Sequence, residues 1–217
     1  MNSSITKYSL LTLLFSITCF FARGQEECEL RKSEHGISVY ACKVTDSKLK
    51  SIKAEFIVPA RPSVLVGHML NVDQYIQWQY RMIEAAPLKR VSDREVIYRS
   101  EVQAPWPVSN RDLIVNFSVK QDPNTKVMTF TLKGIPEYVP HKKGVVRIPR
   151  SEGKWVVTPI GKDKVKVEYS LKVDPGGSIP AWLLNLSIAE GPYESFRNLI
   201  DRINKGTPVT PASFIID

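Results

Sequence analysis

Apolar residues at every second position constrain this chain more than any other feature. Leu113, Val115, Phe117 and Val119 form one such run, and Val165, Val167, Tyr169, Leu171 and Val173 form another. A side-chain period of two places one face of a strand in a core and the other in water, the signature of an antiparallel sheet covered on one side. From Lys89 to Val173 the pattern is that of strands throughout, with runs at Glu95–Val102, Leu113–Gln121, Val127–Lys133, Val145–Pro149, Lys154–Ile160 and Lys164–Val173 separated by turns such as Asp122-Pro123-Asn124 and Gly161-Lys162-Asp163. Two earlier strands are expected at Ile37–Lys43 and Lys50–Val58, preceded by a short polar helix at Glu26–Glu34. Val64, Leu65, Met69, Val72 and Tyr75 follow a helical period that breaks around Asn71 to Gln79.

A curved sheet of this kind needs a cover. The one element long enough starts near Ser178, a candidate N-cap, with Pro180 in its first turn. Ile179, Trp182, Leu183, Leu186, Tyr193, Phe196, Ile200 and Ile203 trace its apolar stripe, and Gly191-Pro192 predicts a kink or local break. The tail from Gly206 has no period and is expected to be loose or laid on the surface. The pattern therefore predicts an α+β fold, a curved antiparallel sheet closed by one long C-terminal helix. Where sheet and helix do not interdigitate fully, a cavity lies between them.

Residues 1–24 read as a signal peptide, with Lys7 in the basic region, an apolar run Leu10–Phe21 and Ala22-Arg23-Gly24 at the cleavage site. Residues 25–217 then form one domain. Removal of the leader leaves 28 basic against 22 acidic residues, because Lys7 and Arg23 go with it. The charges are interleaved, without the dense basic helix or aromatic-interleaved stripe of a nucleic-acid interface. They suit solvated strand faces or attraction to an anionic membrane surface. Cys28 and Cys42, the only cysteines of the mature chain, are expected to form a disulfide after export to the periplasm or the extracellular space.

Three groups of residues, in order and spacing, resemble START domains, the phosphatidylcholine- and sterol-transfer family. They are Pro105-Trp106-Pro107-Val108-Ser109-Asn110-Arg111-Asp112; Gly144-Val145-Val146-Arg147 with Gly153-Lys154-Trp155 and Thr158-Pro159; and Asp174-Pro175-Gly176-Gly177-Ser178-Ile179-Pro180-Ala181-Trp182 with Asn185. With the weaker Gly36-Ile37-Ser38-Val39-Tyr40, the resemblance spans nearly all of the mature chain. It implies a helix-grip fold that encloses a lipid and admits it when the helix and a neighbouring loop move. The Pro-Trp-Pro loop carrying Trp106 is the candidate gate and membrane contact, with Gly177 supplying flexibility before the helix.

The resemblance also implies a polar network at the cavity around Arg111, with Glu101 as a nearby carboxylate partner. A structural salt bridge between strands is the alternative. Several phospholipid- and sterol-binding members carry a second inward arginine six positions later, where this chain has Phe117. The departure tilts the expected ligand toward a sterol, a free fatty acid or another weakly polar hydrophobe, since a cavity arginine suits phosphate. Val115, Phe117, Tyr169, Trp182, Leu186 and Phe196 are the candidate apolar contacts.

No catalytic set, metal site or cofactor motif is legible. His35, His68 and His141 lie in a turn, a helix and a loop, and no nucleophile elbow, P-loop or Rossmann glycine pattern occurs. The expected partners are one hydrophobic small molecule and, transiently, a membrane surface, with the protein a monomer that binds no nucleic acid. Two other readings stand beside this one. A cyclase or aromatase on the same fold would use Tyr80, Tyr98, Arg111 and Glu101, and an exported adaptor with a vestigial cavity would act through its surface.

Overall fold

The alternating strands assemble into a ten-stranded sheet in a computed structural model of the chain. The structure describes residues 27–44 and 49–217, excluding the side chains at 181–183 and 185–187. The expected leader, residues 1–24, lies outside that range.

Three strands open the fold: β1 (Cys28–Glu34), β2 (Ile37–Cys42) and β3 (Lys50–Val58). Helix α1 (Pro62–Leu70) and a 3-10 segment, Val72–Gln77, separate them from β4 (Met82–Ser92), β5 (Glu95–Val102), β6 (Arg111–Gln121) and β7 (Met128–Gly134). After the short β8 (Val146–Arg147) come β9 (Arg150–Gly161), β10 (Lys164–Asp174) and the long helix α2 (Ala181–Asn204). The sheet order is β1-β2-β3-β10-β9-β7-β6-β5-β4, antiparallel throughout, with β8 added parallel to β6. Because α2 lies across the inner face, this is the α+β helix grip that the alternation demanded.

Two strands depart most from expectation, and both are sheet edges. Where a helix was expected, Cys28–Glu34 is strand β1, turned into β2 by His35 and Gly36, both at positive φ. Strand β4 begins at Met82, well before the strand pattern that starts near Lys89. A free edge buries little, so its sequence need not alternate. Register shifts in both strands scramble the period further, and Pro87 is tolerated where no ladder donor is needed.

Helix α2 runs through Gly191-Pro192 without the expected break. Pro192 removes one intrahelical donor, but Ser195 Oγ donates to the Gly191 carbonyl at 2.8 Å and accepts the Tyr80 backbone N–H at 2.9 Å, bracing that turn. Ser178 is not its cap, since the helix starts at Ala181 with Pro180 in the capping position. The tail is laid on the surface and firmly held. The Asp217 carboxylate accepts the Ser63 N–H and hydroxyl, both at 2.7 Å, and so caps the first turn of α1. Gly67 is required beneath this tail, because a Cβ there would stand 2.4 Å from the Thr210 carbonyl oxygen.

The core fills the grip from both ends. Phe196 of α2 stacks on Phe56 at 4.6 Å and meets Trp155 and Tyr169 edge-on at 5.3 and 5.2 Å. Elsewhere on the sheet, Phe117 stacks on Phe130 at 5.5 Å, and Tyr98 meets Tyr75 edge-on at 5.4 Å. The disulfide Cys28–Cys42 joins the directly paired residues that close the β1–β2 hairpin.

Candidate functional site

Between the aromatic clusters, sheet and helix do not interdigitate, and a cavity of about 600 Å³ remains. Tyr98, Ser100 and Val102 of β5, Arg111, Leu113 and Phe117 of β6, and Tyr169, Leu171 and Val173 of β10 form its sheet wall. Ile188, Pro192 and Phe196 of α2 form its roof. The period of two explains the sheet wall: each strand sends alternate residues inward, and the inward set is almost wholly apolar. Volume and lining fit a pocket that takes one small hydrophobic molecule.

Charge is divided sharply between the faces of β6. Arg111 points inward and Asp112 outward. Asp112 receives the Arg147 Nε and Nη2 donors at 2.8 and 2.9 Å, and Arg99 Nε stands 3.4 Å from its Oδ2. Glu101 pairs across the same outer face with Lys142 at 2.7 Å and accepts from Asn110 at 2.8 Å. Burial pushes the Glu101 carboxyl up, but the Lys142 and Asn110 hydrogen bonds and the nearby cations outweigh it and hold it below the usual carboxylate range. Arg147 also donates to the carbonyls of Pro136, Val139 and Pro140, which straps the loop before β8 across the convex face.

Among the described residues, Arg111 has no such partner. Its guanidinium donates to the carbonyls of Ser109 and, at 3.5 Å, Gly176, and its buried Nε has no acceptor. Desolvation lowers its pKa. The expected Arg111–Glu101 contact is therefore corrected. Val102, not Glu101, is opposite Arg111 in the β5–β6 register, so Glu101 falls on the outer face.

The remaining sequence candidates divide similarly. Phe117, Tyr169 and Phe196 line the cavity. Val115 shares their face but is fully buried in the core and is not on the wall. Trp182 and Leu186 belong to α2, and their side chains lie outside the described residues. Trp106 is 91% exposed at the tip of the loop before β6, and Gly177, at positive φ, has its Cβ direction 3.9 Å from Arg111 Nη2. Trp78, Tyr75, Tyr80, Arg81 and Glu190 also reach the wall. Their segments lack the period of two that flagged the strands, although Tyr80 had been a catalytic candidate.

Helix α2 is fastened beside the cavity by the β1–β2 hairpin. Lys32 pairs with Glu190 at 2.9 Å and sits 4.1 Å over the Tyr193 ring, whose hydroxyl meets His35 Nδ1 at 2.8 Å. His68 is buried in α1, and His141 lies near Glu137 on the surface. Among the described residues no three His, Cys, Asp or Glu cluster for a metal, and no helix is long and apolar enough to cross a membrane.

The START domain profile matches residues 26–207. The chain belongs to the START domain family. START domains bind and transfer lipids. A crystal structure of a STAR-related lipid transfer protein fragment from Xanthomonas axonopodis superposes with a TM-score of 0.74 at 33% identity, over 82% of this chain and 98% of that one. An uncharacterized protein of Pseudomonas aeruginosa is 30% identical over 80% of this START chain and 85% of its own length. The phosphatidylcholine transfer protein of Mus musculus is 25% identical over 76% of this chain and 78% of its own. An aromatase/cyclase from Streptomyces shares the fold alone, at 9% identity and a TM-score of 0.51 over 74% of this chain and 99% of that one.

Proposed function

We propose that the mature chain, residues 25–217, is an exported monomeric carrier that holds one hydrophobic ligand in the cavity and exchanges it at membrane surfaces without covalent chemistry. The cavity carries this reading: its volume of about 600 Å³ and apolar walls fit a sterol-sized or single-chain lipid better than a diacyl phospholipid. Phe117, where several relatives place a second inward arginine, supports the same preference. Among the described residues the contacts are Arg111, Phe117, Tyr169 and Phe196.

Exchange requires α2 and the Trp106 loop to separate. A tryptophan 91% exposed at a loop tip supports membrane contact there, because an indole is suited to a bilayer interface. The disulfide supports export, in agreement with the leader read in residues 1–24. The non-enzymatic reading draws support from the position of Glu101, which leaves the cyclase set of Tyr80, Tyr98 and Arg111 without its carboxylate. Glu190, the one carboxylate on the wall among the described residues, is held by Lys32. Burial raises the Tyr98 and Tyr169 phenols far above their ordinary range, so they act as neutral donors and not as bases.

Native mass spectrometry of the purified mature chain, followed by lipid extraction, tests the proposal. A stoichiometric hydrophobic adduct that disappears in Leu113→Trp, which fills the cavity, is the expected result. A bare mass together with no uptake from mixed lipid vesicles would overturn it in favour of the cyclase or adaptor reading.

A further inference from the structure

We infer that the cavity selects amphiphiles with an anionic headgroup, held by Arg111 where the gate segments meet. The inference rests on reading the cavity as a lipid site and deepens it by naming the ligand class.

Arg111 is only 8% exposed, and among the described residues no carboxylate lies within ion-pairing distance of it. Burying an unpaired charge is costly, and the chain does not do so on the other face of the same strand, where Asp112, Arg147 and Glu101 are all buried in ion pairs. The carbonyls of Ser109 and Gly176 accept from the guanidinium, yet neither supplies negative charge, and Nε is left without an acceptor. An anion is the missing partner.

The rest of the wall points to the same chemistry. Among the described residues its one acid, Glu190, is already paired with Lys32 at 2.9 Å and is not available to Arg111. Among the described residues the buried wall atoms without a partner, Arg111 Nε and Trp78 Nε1, are both obligatory donors. A ligand head composed of acceptors that also carry negative charge, a carboxylate or a phosphate monoester, answers the Arg111 guanidinium; a hydroxyl accepts without supplying charge, and an ammonium repels it. The position of Arg111 adds a consequence. It donates to Ser109 in the Trp106 loop and to Gly176 ahead of α2, so a headgroup bound there lies at the junction of the two gate segments.

The test uses delipidated mature protein at pH 8 and three probes of equal chain length: oleate, oleyl alcohol and oleoyl lysophosphatidate. Wild-type protein is expected to bind the better anion at least about tenfold more tightly than the alcohol, the scale of one hydrogen bond to a charged group. Preference for oleate assigns a carboxylate head, and preference for lysophosphatidate assigns a phosphate. Arg111→Gln should lower anion affinity about tenfold more than alcohol affinity, and Arg111→Lys should keep part of the preference, since the charge stays but the planar fork is lost. Equal wild-type affinities for anion and alcohol overturn the headgroup assignment while leaving the lipid site standing, and this comparison decides even where a variant fails to fold. A preference that survives in Arg111→Gln removes the role of Arg111. No binding of any probe overturns the lipid site itself.

Discussion

Arg111 and Asp112 are neighbours in sequence and opposites in circumstance. On the convex face, Asp112 is held by Arg147 and Arg99, next to Glu101 with Lys142, so that each buried charge meets its complement. On the concave face, Arg111 sits in an apolar wall with two carbonyls for company. The same strand thus carries a charge satisfied by the protein and one left for something else. The paired side maintains the fold, and the unpaired side is where we propose that a ligand is selected.

The sharpest way to break the comparison is on the paired side. Asp112→Asn leaves Arg147 buried without its anion and should cost about 3–5 kcal/mol, read as a lower urea midpoint. A loss under about 1 kcal/mol would mean that the outer network contributes little to the fold. The disulfide provides a yardstick remote from both faces. Replacing Cys28 and Cys42 by Ser should cost about 3 kcal/mol by chain entropy alone, and reduction of the wild type should reproduce the shift.

Arg111→Met should behave in the opposite sense to Asp112→Asn. Removing an unpaired buried charge should leave stability unchanged or raise it by about 1 kcal/mol, while weakening anionic ligands. A loss as large as that of Asp112→Asn would make Arg111 a structural tie between the gate loops and abolish the contrast. The smallest effect concerns pH. The folded Glu101 carboxyl lies below its ordinary value of 4.5, so the unfolded chain binds more protons between the two values. Its contribution is complete above the ordinary value and is lost as pH falls through the depressed one. Glu101→Gln should therefore flatten part of the acid limb of the stability profile without altering the slope near neutrality.

Legibility in the sequence followed burial. The central strands β3, β5, β6 and β10 begin or end within two residues of their expected bounds, because each has one face in the core and its apolar residues alternate. The edge strands β1 and β4 were misread, the first as a helix and the second as starting late, because an edge with a bulge obeys no period. The brace that carries α2 past Pro192 was equally invisible. It depends on Ser195 meeting the Tyr80 backbone, 115 positions away in the chain.

The candidate site shows the same division. Alternation within β6 was enough to place Arg111 and Phe117 on one face, and the motif around them was enough to mark the family. Alternation within β5 likewise placed Glu101 opposite to Ser100, but no single strand states which of its faces joins which face of its neighbour. That choice is made by the hydrogen-bond register, Val102 against Arg111 and Glu101 against Asp112, and by the loop that brings Lys142 and Arg147 over the convex side. The sequence by itself determined a covered antiparallel sheet, its closing helix and the residues available to each face. Only the tertiary structure decided that Glu101 and Asp112 gather on one face of the sheet and leave Arg111 without them on the other, because pairing between strands and loops far apart in the chain sets the partners of these buried charges.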